Sequence, residues 1–141
     1  MAQSRTNTAA QFISALPHAQ ALGLSLTRIG SGDAEISLPY DEALIGDLET
    51  GVIHGGAVSA LMDTCCGAAV MAHPDAGTAT ATIDLRIDYM RVAVPKTTIV
   101  AFAECFHMTG SVAFVRATAH DGTSKTPVAT ATGTFAVERG M

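Results

Sequence analysis

Residues 51–70 read Gly-Val-Ile-His-Gly-Gly-Ala-Val-Ser-Ala-Leu-Met-Asp-Thr-Cys-Cys-Gly-Ala-Ala-Val, and this stretch decides the fold that the sequence predicts. These residues are predicted to form a loop followed by one helix, which starts at two glycines and extends over about residues 54–72. With about 100° of rotation per residue, the larger apolar side chains fall on one stripe, as in a helix that buries one face. That stripe consists of Val58, Leu61, Met62, Cys65 and Ala69.

A second stripe of the same helix carries almost no bulk. Gly56, Ala60, Asp63 and Gly67 lie roughly opposite the first stripe, so a sheet, another helix or a ligand can approach the backbone closely there. Asp63 is the only charged residue within residues 57–72. Two interpretations stay open. A neighbouring hydroxyl or backbone group holds this carboxylate for structural reasons, or its apolar surroundings increase its basicity for catalysis.

The start of the helix is the other feature that can take part in a reaction. The first turn of a helix has N–H groups without an internal partner, and the helix dipole makes that end positive. Gly55 and Gly56 leave those groups uncovered, so the turn can accept a carbonyl oxygen that becomes negative during a reaction. His54 stands at the cap position, where a capping or orienting role fits the sequence as well as a catalytic one.

His54 and Asp63 cannot reach one substrate atom from a single copy of this helix. Their spacing in the sequence places them about 180° apart around the axis and over about 10 Å apart along it. Either the two side chains do separate jobs, or a second subunit completes the site. We adopt the second interpretation.

The composition describes a small apolar domain. The chain has 141 residues, with 48% hydrophobic and 15% charged residues and no Trp. We expect an N-terminal tail and short helix over residues 1–20 and a single domain over residues 21–141. A small chain this apolar often buries further surface by forming homo-oligomers.

The charge pattern excludes several partner classes. The net charge of −5 and the lack of a Lys/Arg run argue against nucleic acid. No uninterrupted apolar run reaches about 18 residues, which argues against a membrane span, and the first residues lack the apolar segment of a secretory signal. Three cysteines, two of them adjacent, do not form a disulfide framework and suit the reducing cytoplasm.

Alternating apolar and polar residues predict an antiparallel sheet around the helix. Residues 1–6 are expected to be disordered and Thr8–Leu16 to form a short helix that Pro17 stops. Residues 40–53 form a long loop with four acids, and loops of that length are usually functional. The expected class is α+β, a long sheet wrapped around one helix. The six expected strands cover residues 22–27, 34–38, 80–89, 99–106 (buried on both faces), 113–120 and 128–137.

Other combinations of residues give only weak evidence for a metal, phosphate-binding or nucleophilic site. The five histidines are scattered and none pairs with Cys or an acid at metal-ligand spacing, so we predict no metal and no cofactor. The glycines before the helix lack the Lys-Ser/Thr of a phosphate-binding loop. Ser59 has Asp63 one turn on but no His to complete a triad. Cys66 is better explained as a buried, inert thiol than as a nucleophile.

One pattern resembles a known family. His54-Gly55-Gly56, followed by six residues and Asp63, with Gly51 before it and Gly67 after it, resembles the hotdog-fold acyl-CoA thioesterases of the PaaI type. The strand at residues 84–89 and the closing strand at 129–135 are also similar to that family. The resemblance covers roughly residues 20–138 and implies a hotdog fold, in which the helix is wrapped by the sheet and two subunits pair through their sheets.

The resemblance also implies roles for individual residues. Asp63 would be the general base that activates water, or less readily the nucleophile, and Thr82 would steer the water or the acid. The N–H of Gly55 on the other subunit would hold the oxyanion, and His54 would orient the loop or touch the thioester. Ser111 would lie against the pantetheine arm. The residues expected to bind the substrate, beside Ser111, are Gly56, Val58, Met62 and Leu44.

The chain departs from the family pattern in two places. Many relatives have Asn in the loop before the His, where this chain has Asp47 and Leu48, and an aspartate cannot donate an amide hydrogen bond; Glu49 is a further candidate. Many relatives also carry an Arg where this chain has Gly110. The cations available for CoA phosphates are Arg86, Arg91, Lys96, Arg116 and Lys125.

Three functions remain in competition at this point. The first is hydrolysis of an aromatic or medium-chain acyl-CoA by a cytoplasmic homodimer or homotetramer. The second is a non-catalytic acyl-CoA-binding protein that senses its ligand, which would need no activated acid. The third is a hotdog hydratase or dehydratase, which needs an Asp/His pair that reaches one carbon.

Overall fold

The computed structural model describes residues 2–140 and contains three α-helices and eight strands in that range. The helices are α1 (Ala2–Ala15), α2 (Pro17–Leu22) and α3 (Gly55–Ala72). The strands are β1 (Ser25–Ile29), β2 (Asp33–Leu38), β3 (Ile45–Asp47), β4 (Val52–Ile53), β5 (Ala79–Tyr89), β6 (Ile99–Met108), β7 (Val112–His120) and β8 (Ala129–Glu138). Met1, part of the tail expected to be disordered, lies outside the described residues.

Six of these strands form one antiparallel sheet that wraps around α3. The strand order is β1-β2-β6-β7-β8-β5, so β5 pairs with β8 on one side only. The small β3–β4 pair stands apart from this sheet and lies directly before the core helix. The predicted α+β architecture, a long sheet around one helix, is therefore confirmed.

The core forms between α3 and the inner face of the sheet. The predicted apolar stripe of α3 is buried: Leu61, Met62, Cys65 and Ala69 are 0% exposed and Val58 is 3% exposed. Small inner residues of the sheet, many of them alanine, let the strands approach the helix closely. α3 also meets the length and composition of a membrane span, but 67% of it is buried inside the domain, as expected of a core helix.

A β-bulge in β5 changes which side chains face the helix. The register with β8 runs Thr82 to Phe135 and then Asp84 to Thr134, so Ile83 is the extra residue. Directly paired residues share a face, and Phe135 is buried. Thr82 therefore faces inward, although the alternation along the strand groups it with polar residues such as Asp84.

Gly133 of β8 provides the room for this bulge. A Cβ atom on Gly133 would lie 2.2 Å from the carbonyl oxygen of Asp84 and 3.0 Å from Cα of Leu85. Only a residue without a side chain allows the two backbones to approach so closely at that point.

The structure corrects several expectations about the elements. Pro17 ends one helix and begins the next, because proline suits a first helical position. Leu22 therefore ends α2, and the first strand starts only at Ser25. α1 already begins at Ala2, well before the expected start. The expected loop 40–53 contains the β3–β4 hairpin.

A further correction concerns β6, which is not buried on both faces. Its inner residues are buried, whereas Phe106 on the other side is 49% exposed. Arginine side chains partly cover this outer face: Arg116 stacks 4.6 Å from the centroid of the Phe106 ring, and Arg28 stacks 5.0 Å from that of Phe102. The prediction from the run of apolar residues, that the second face of β6 is also buried, is therefore wrong.

Candidate active site

The carboxylate of Asp63 meets the hydroxyl of Thr82 on the inner side of the sheet. Thr82 Oγ1 donates a hydrogen bond to Asp63 Oδ1 over 2.7 Å. Asp63 is half-buried on the middle of α3, and the bulge in β5 turns Thr82 toward it. One carboxylate oxygen is thus held in place, and the side chain keeps further acceptor capacity for water.

A small cavity opens beside this pair. It has a volume of about 170 Å³ and combines the polar side chains of Asp63 and Thr82 with apolar walls from α1 and β8. The residues that line it are Phe12, Ile13, Leu16, Asp63, Thr64, Gly67, Thr80, Ala81, Thr82 and Phe135. α1 takes part although the sequence assigned it no function.

The first turn of α3 is organised by His54 and Tyr89. His54 Nδ1 accepts a hydrogen bond from the N–H of Gly56 over 2.8 Å, which makes His54 the N-cap of the helix. In a neutral imidazole the proton then sits on Nε2, which remains available as a donor. The Tyr89 hydroxyl donates to the carbonyl of Gly55 over 2.9 Å and also hydrogen-bonds Ser59 Oγ.

These bonds leave one N–H group of the turn exposed. Gly56 uses its N–H in the cap, so it cannot also hold a substrate oxygen. Gly55 is exposed, and its N–H lies in the first turn, where no intrahelical acceptor exists. A Cβ atom on Gly55 would lie 3.7 Å from the Tyr89 ring, which is ordinary contact. Gly55 is thus the available donor at the positive end of α3.

A larger cavity surrounds this turn. Its volume is about 460 Å³, which falls in the range of small-molecule sites. The lining residues are Gly46, Asp47, Val52, Ile53, His54, Gly55, Val58, Tyr89, Arg91, Val92, Ala93 and Val128. Of the residues predicted to act at the site, Asp47, His54, Gly55 and Val58 come together here. Asp63 and Thr82 line the other cavity.

Asp47 is held as a charged acceptor at the rim of the larger cavity. A hydrogen bond from the Thr50 side chain, together with backbone bonds, lowers the pKa of Asp47. Asp47 Oδ1 accepts from the N–H of Glu49 over 3.0 Å, and the Asp47 carbonyl accepts from the N–H of Gly51 over 2.8 Å. The side chain therefore stabilises the tight turn between β3 and β4.

Three further residues expected to bind substrate lie elsewhere. Met62 is 0% exposed in the hydrophobic core and lines neither cavity, so its expected place in the pocket is wrong for the single protomer. Leu44 packs on the core, and its carbonyl accepts from the N–H of His54 over 2.8 Å, so it positions the cap. Ser111 is exposed in the turn between β6 and β7.

A buried ion pair that the residue pattern did not predict supports the wall of the larger cavity. Asp121 accepts two hydrogen bonds from the Arg91 guanidinium, over 2.8 and 2.7 Å, and one from the N–H of Val94 over 2.9 Å. The Arg91 guanidinium holds the pKa of Asp121 well below its usual range. This pair fixes the segment after β5, which contributes Arg91, Val92 and Ala93 to the cavity.

The structure narrows the pool of cations expected to bind CoA phosphates. Arg91 is committed to Asp121, Arg116 pairs with Glu104, and Arg86 pairs with Asp88. Within residues 2–140, Lys96 and Lys125 of that pool form no ion pair and are exposed.

The cysteines are buried, as predicted. Burial raises the pKa of the Cys65 thiol to about 12 and also raises the pKa of Cys66. A thiol that stays protonated is a poor nucleophile. In the described part of the chain, no group of three His, Cys, Asp or Glu side chains is arranged to hold a metal ion.

The arrangement of sheet and helix defines a hotdog fold, and solved structures share it. A protein from Pseudomonas aeruginosa is 39% identical over 95% of this chain and 99% of its own, with a TM-score of 0.84. A second conserved protein from that organism is 29% identical over 92% and 99%, with a TM-score of 0.80. The PaaI protein from the phenylacetic acid degradation operon of Escherichia coli is 19% identical over 98% and 96%, with a TM-score of 0.85, a likeness of fold.

Residues 50–128 match the family model described as the thioesterase superfamily. That match covers more than half of the chain and includes the segment from Gly51 through α3. The chain therefore belongs to the thioesterase superfamily, with PaaI proteins among its structural neighbours. No curated protein matches the chain.

Proposed function

We propose that this protein is an acyl-CoA thioesterase that hydrolyses an aromatic or medium-chain acyl-CoA to the free acid and CoA. Membership of the thioesterase superfamily supports thioester hydrolysis. The single observation that carries the assignment of residues is the hydrogen bond from Thr82 to Asp63 beside a cavity. It orients a lone carboxylate next to a space that can admit water and an acyl group.

The site is completed across a homodimer. In one protomer, Asp63 and Gly55 are eight residues apart on α3, about 12 Å along the axis at 1.5 Å per residue, and they line different cavities. Neither cavity alone holds both the base and the oxyanion donor. A second protomer that brings its Gly55 to Asp63 unites the two halves.

The free edge of β5 supports this pairing. β5 is 11 residues long and, among the strands of residues 2–140, has a partner on one side only. Long exposed edges of this kind are normally covered. Ile83 and Met90 on and after this strand are 58% and 54% exposed. If two β5 strands pair antiparallel around an axis between Leu85 and Arg86, Thr82 of one lies opposite Tyr89 of the other.

The proposed reaction uses these groups in order. Asp63 takes a proton from a water molecule as that water attacks the thioester carbonyl carbon. The carbonyl oxygen becomes negative and accepts a hydrogen bond from Gly55 of the partner subunit at the positive helix end, with the His54 Nε2 proton available beside it. The carbon–sulfur bond then breaks as the oxyanion returns to a carbonyl group and releases the free acid. The CoA thiolate takes up the proton that Asp63 accepted from water, which restores the Asp63 carboxylate. No cofactor is required.

The decisive experiment compares Asp63→Asn with the native protein on a panel of acyl-CoAs, with thiol release as the signal. We expect the variant to lose at least about a hundredfold in kcat, within the range that general bases contribute. Equal rates for both proteins would refute the assignment of the base. Tight binding without thiol release by the native protein would favour an acyl-CoA sensor, and formation of 3-hydroxyacyl-CoA from enoyl-CoA would favour a hydratase.

A further inference from the structure

The first helix lies against the cavity that contains Asp63 and contributes Phe12, Ile13 and Leu16 to its lining. Ile13 anchors α1 in the core with 3% exposure, and Leu16 packs beside it. The neighbouring Phe12 remains 42% exposed and lines the cavity of the acid. An aromatic ring left partly in solvent beside a carboxylate is suited to contact an apolar ligand group.

The size of the cavity limits what that group can be. Its volume is about 170 Å³, and a cavity of about 150 Å³ lined by apolar side chains holds one benzene ring. A whole acyl-CoA needs several times more space. The cavity therefore fits the end of an acyl chain, and the remainder of the ligand extends toward the other half of the site.

Gly67 shows that this space is kept open at a cost in stability. It lies one turn after Asp63 on the same face of α3 and lines the cavity. A Cβ atom there would meet only Phe135 Cε2, at 3.7 Å, which is ordinary contact. Alanine would therefore fit without a clash and would favour the helix more than glycine does. The glycine instead leaves room beside the carboxylate.

We propose that α1 forms one wall of the acyl pocket and that Phe12 and Gly67 determine the size of the acyl group, which rests on the proposed thioesterase function. Phe12 closes the cavity from the α1 side, so a group about as large as one ring fits. Gly67 sets the depth on the α3 side. The two residues act in opposite directions: removal of the Phe12 ring enlarges the pocket, and a methyl group at residue 67 makes it smaller.

The test measures kcat/KM for acetyl-, phenylacetyl- and decanoyl-CoA in the native protein, Phe12→Ala, Gly67→Ala and Gln11→Ala. A change of one methylene in an apolar pocket alters discrimination by at least about tenfold. We expect the phenylacetyl-to-acetyl ratio to fall about tenfold in Gly67→Ala, and the decanoyl-to-phenylacetyl ratio to rise about tenfold in Phe12→Ala. Gln11 is exposed on α1 and lies outside the acid cavity, so its variant should stay within twofold of the native ratios.

Ratios within twofold of the native values in both Phe12→Ala and Gly67→Ala would overturn the inference. Gly67→Ala should melt no lower than the native protein, so it keeps the test valid if Phe12→Ala does not fold. If the native protein releases no thiol from any of the three compounds, the proposed hydrolysis fails. In that case, dissociation constants for the same three compounds are measured by calorimetry in the native protein and the variants. The ratios of these constants between compounds then test the role of α1 in the same way as the kcat/KM ratios.

Discussion

Loss of the Asp121 carboxylate should destabilise the domain far more than loss of a surface acid. The Asp121 side chain is 0% exposed and that of Arg91 is 22% exposed. Removing one partner of a buried pair costs about 3–5 kcal/mol. Arg91 keeps bonds to the carbonyls of Thr126 and Val92, so we expect the lower end, about 3 kcal/mol, for Asp121→Ala. For a domain of this size that corresponds to a fall in Tm of about 10 °C.

The assay is thermal unfolding by circular dichroism at pH 7, at one fixed protein concentration because an oligomer melts in a concentration-dependent way. The matched control is Glu104→Ala. Its pair with Arg116 is solvent-exposed, 40% and 57% at the two side chains, and such pairs contribute at most about 1 kcal/mol. If Asp121→Ala and Glu104→Ala lower Tm equally, by less than about 3 °C, the reasoning about burial is wrong.

The same pair predicts a dependence on pH with a definite sign. The folded-state pKa of Asp121 is lowered, so its contribution is fully present above the unfolded value of about 3.9. It is lost as pH falls from there through the folded pKa. The Tm difference between native protein and Asp121→Ala should therefore be constant from about pH 5 to 8 and shrink below about pH 4. A difference that grows on acidification would contradict this assignment.

Three further predictions concern the proposed site and the core of the domain. Thr82→Val removes a hydrogen bond to the charged Asp63, worth about 2 kcal/mol, so kcat in the thiol-release assay should fall roughly thirtyfold. Thr82→Ser keeps the hydroxyl and should retain a kcat near that of the native protein. An equal loss of kcat in both variants would argue against orientation of Asp63 by the hydroxyl. His54→Ala removes the cap on Gly56 and should cost about 1 kcal/mol in urea unfolding, most of which Asn at the same position restores. The thiol of Cys65 should react with a thiol reagent only after denaturation, because burial raises its pKa; rapid labelling of the native protein would show that the core opens.

Local pattern was sufficient to predict the core helix and the sheet. The spacing of Val58, Leu61 and Cys65 predicted which face of α3 is buried, and the alternation of residues predicted the long strands, because periodicity follows directly from backbone geometry. Patterns failed where neighbours decided the outcome. The orientation of Thr82 depends on a bulge that only Gly133 of another strand permits.

The sequence by itself determined that one helix carries an isolated acid and begins at two glycines, and that these two features cannot meet within one copy of that helix. The tertiary structure decided what surrounds each of them. It placed the Thr82 hydroxyl on Asp63, Tyr89 on the helix start, and α1 against the acid. These contacts join segments far apart in the chain, and their geometry follows from strand register and packing rather than from any local preference of the residues.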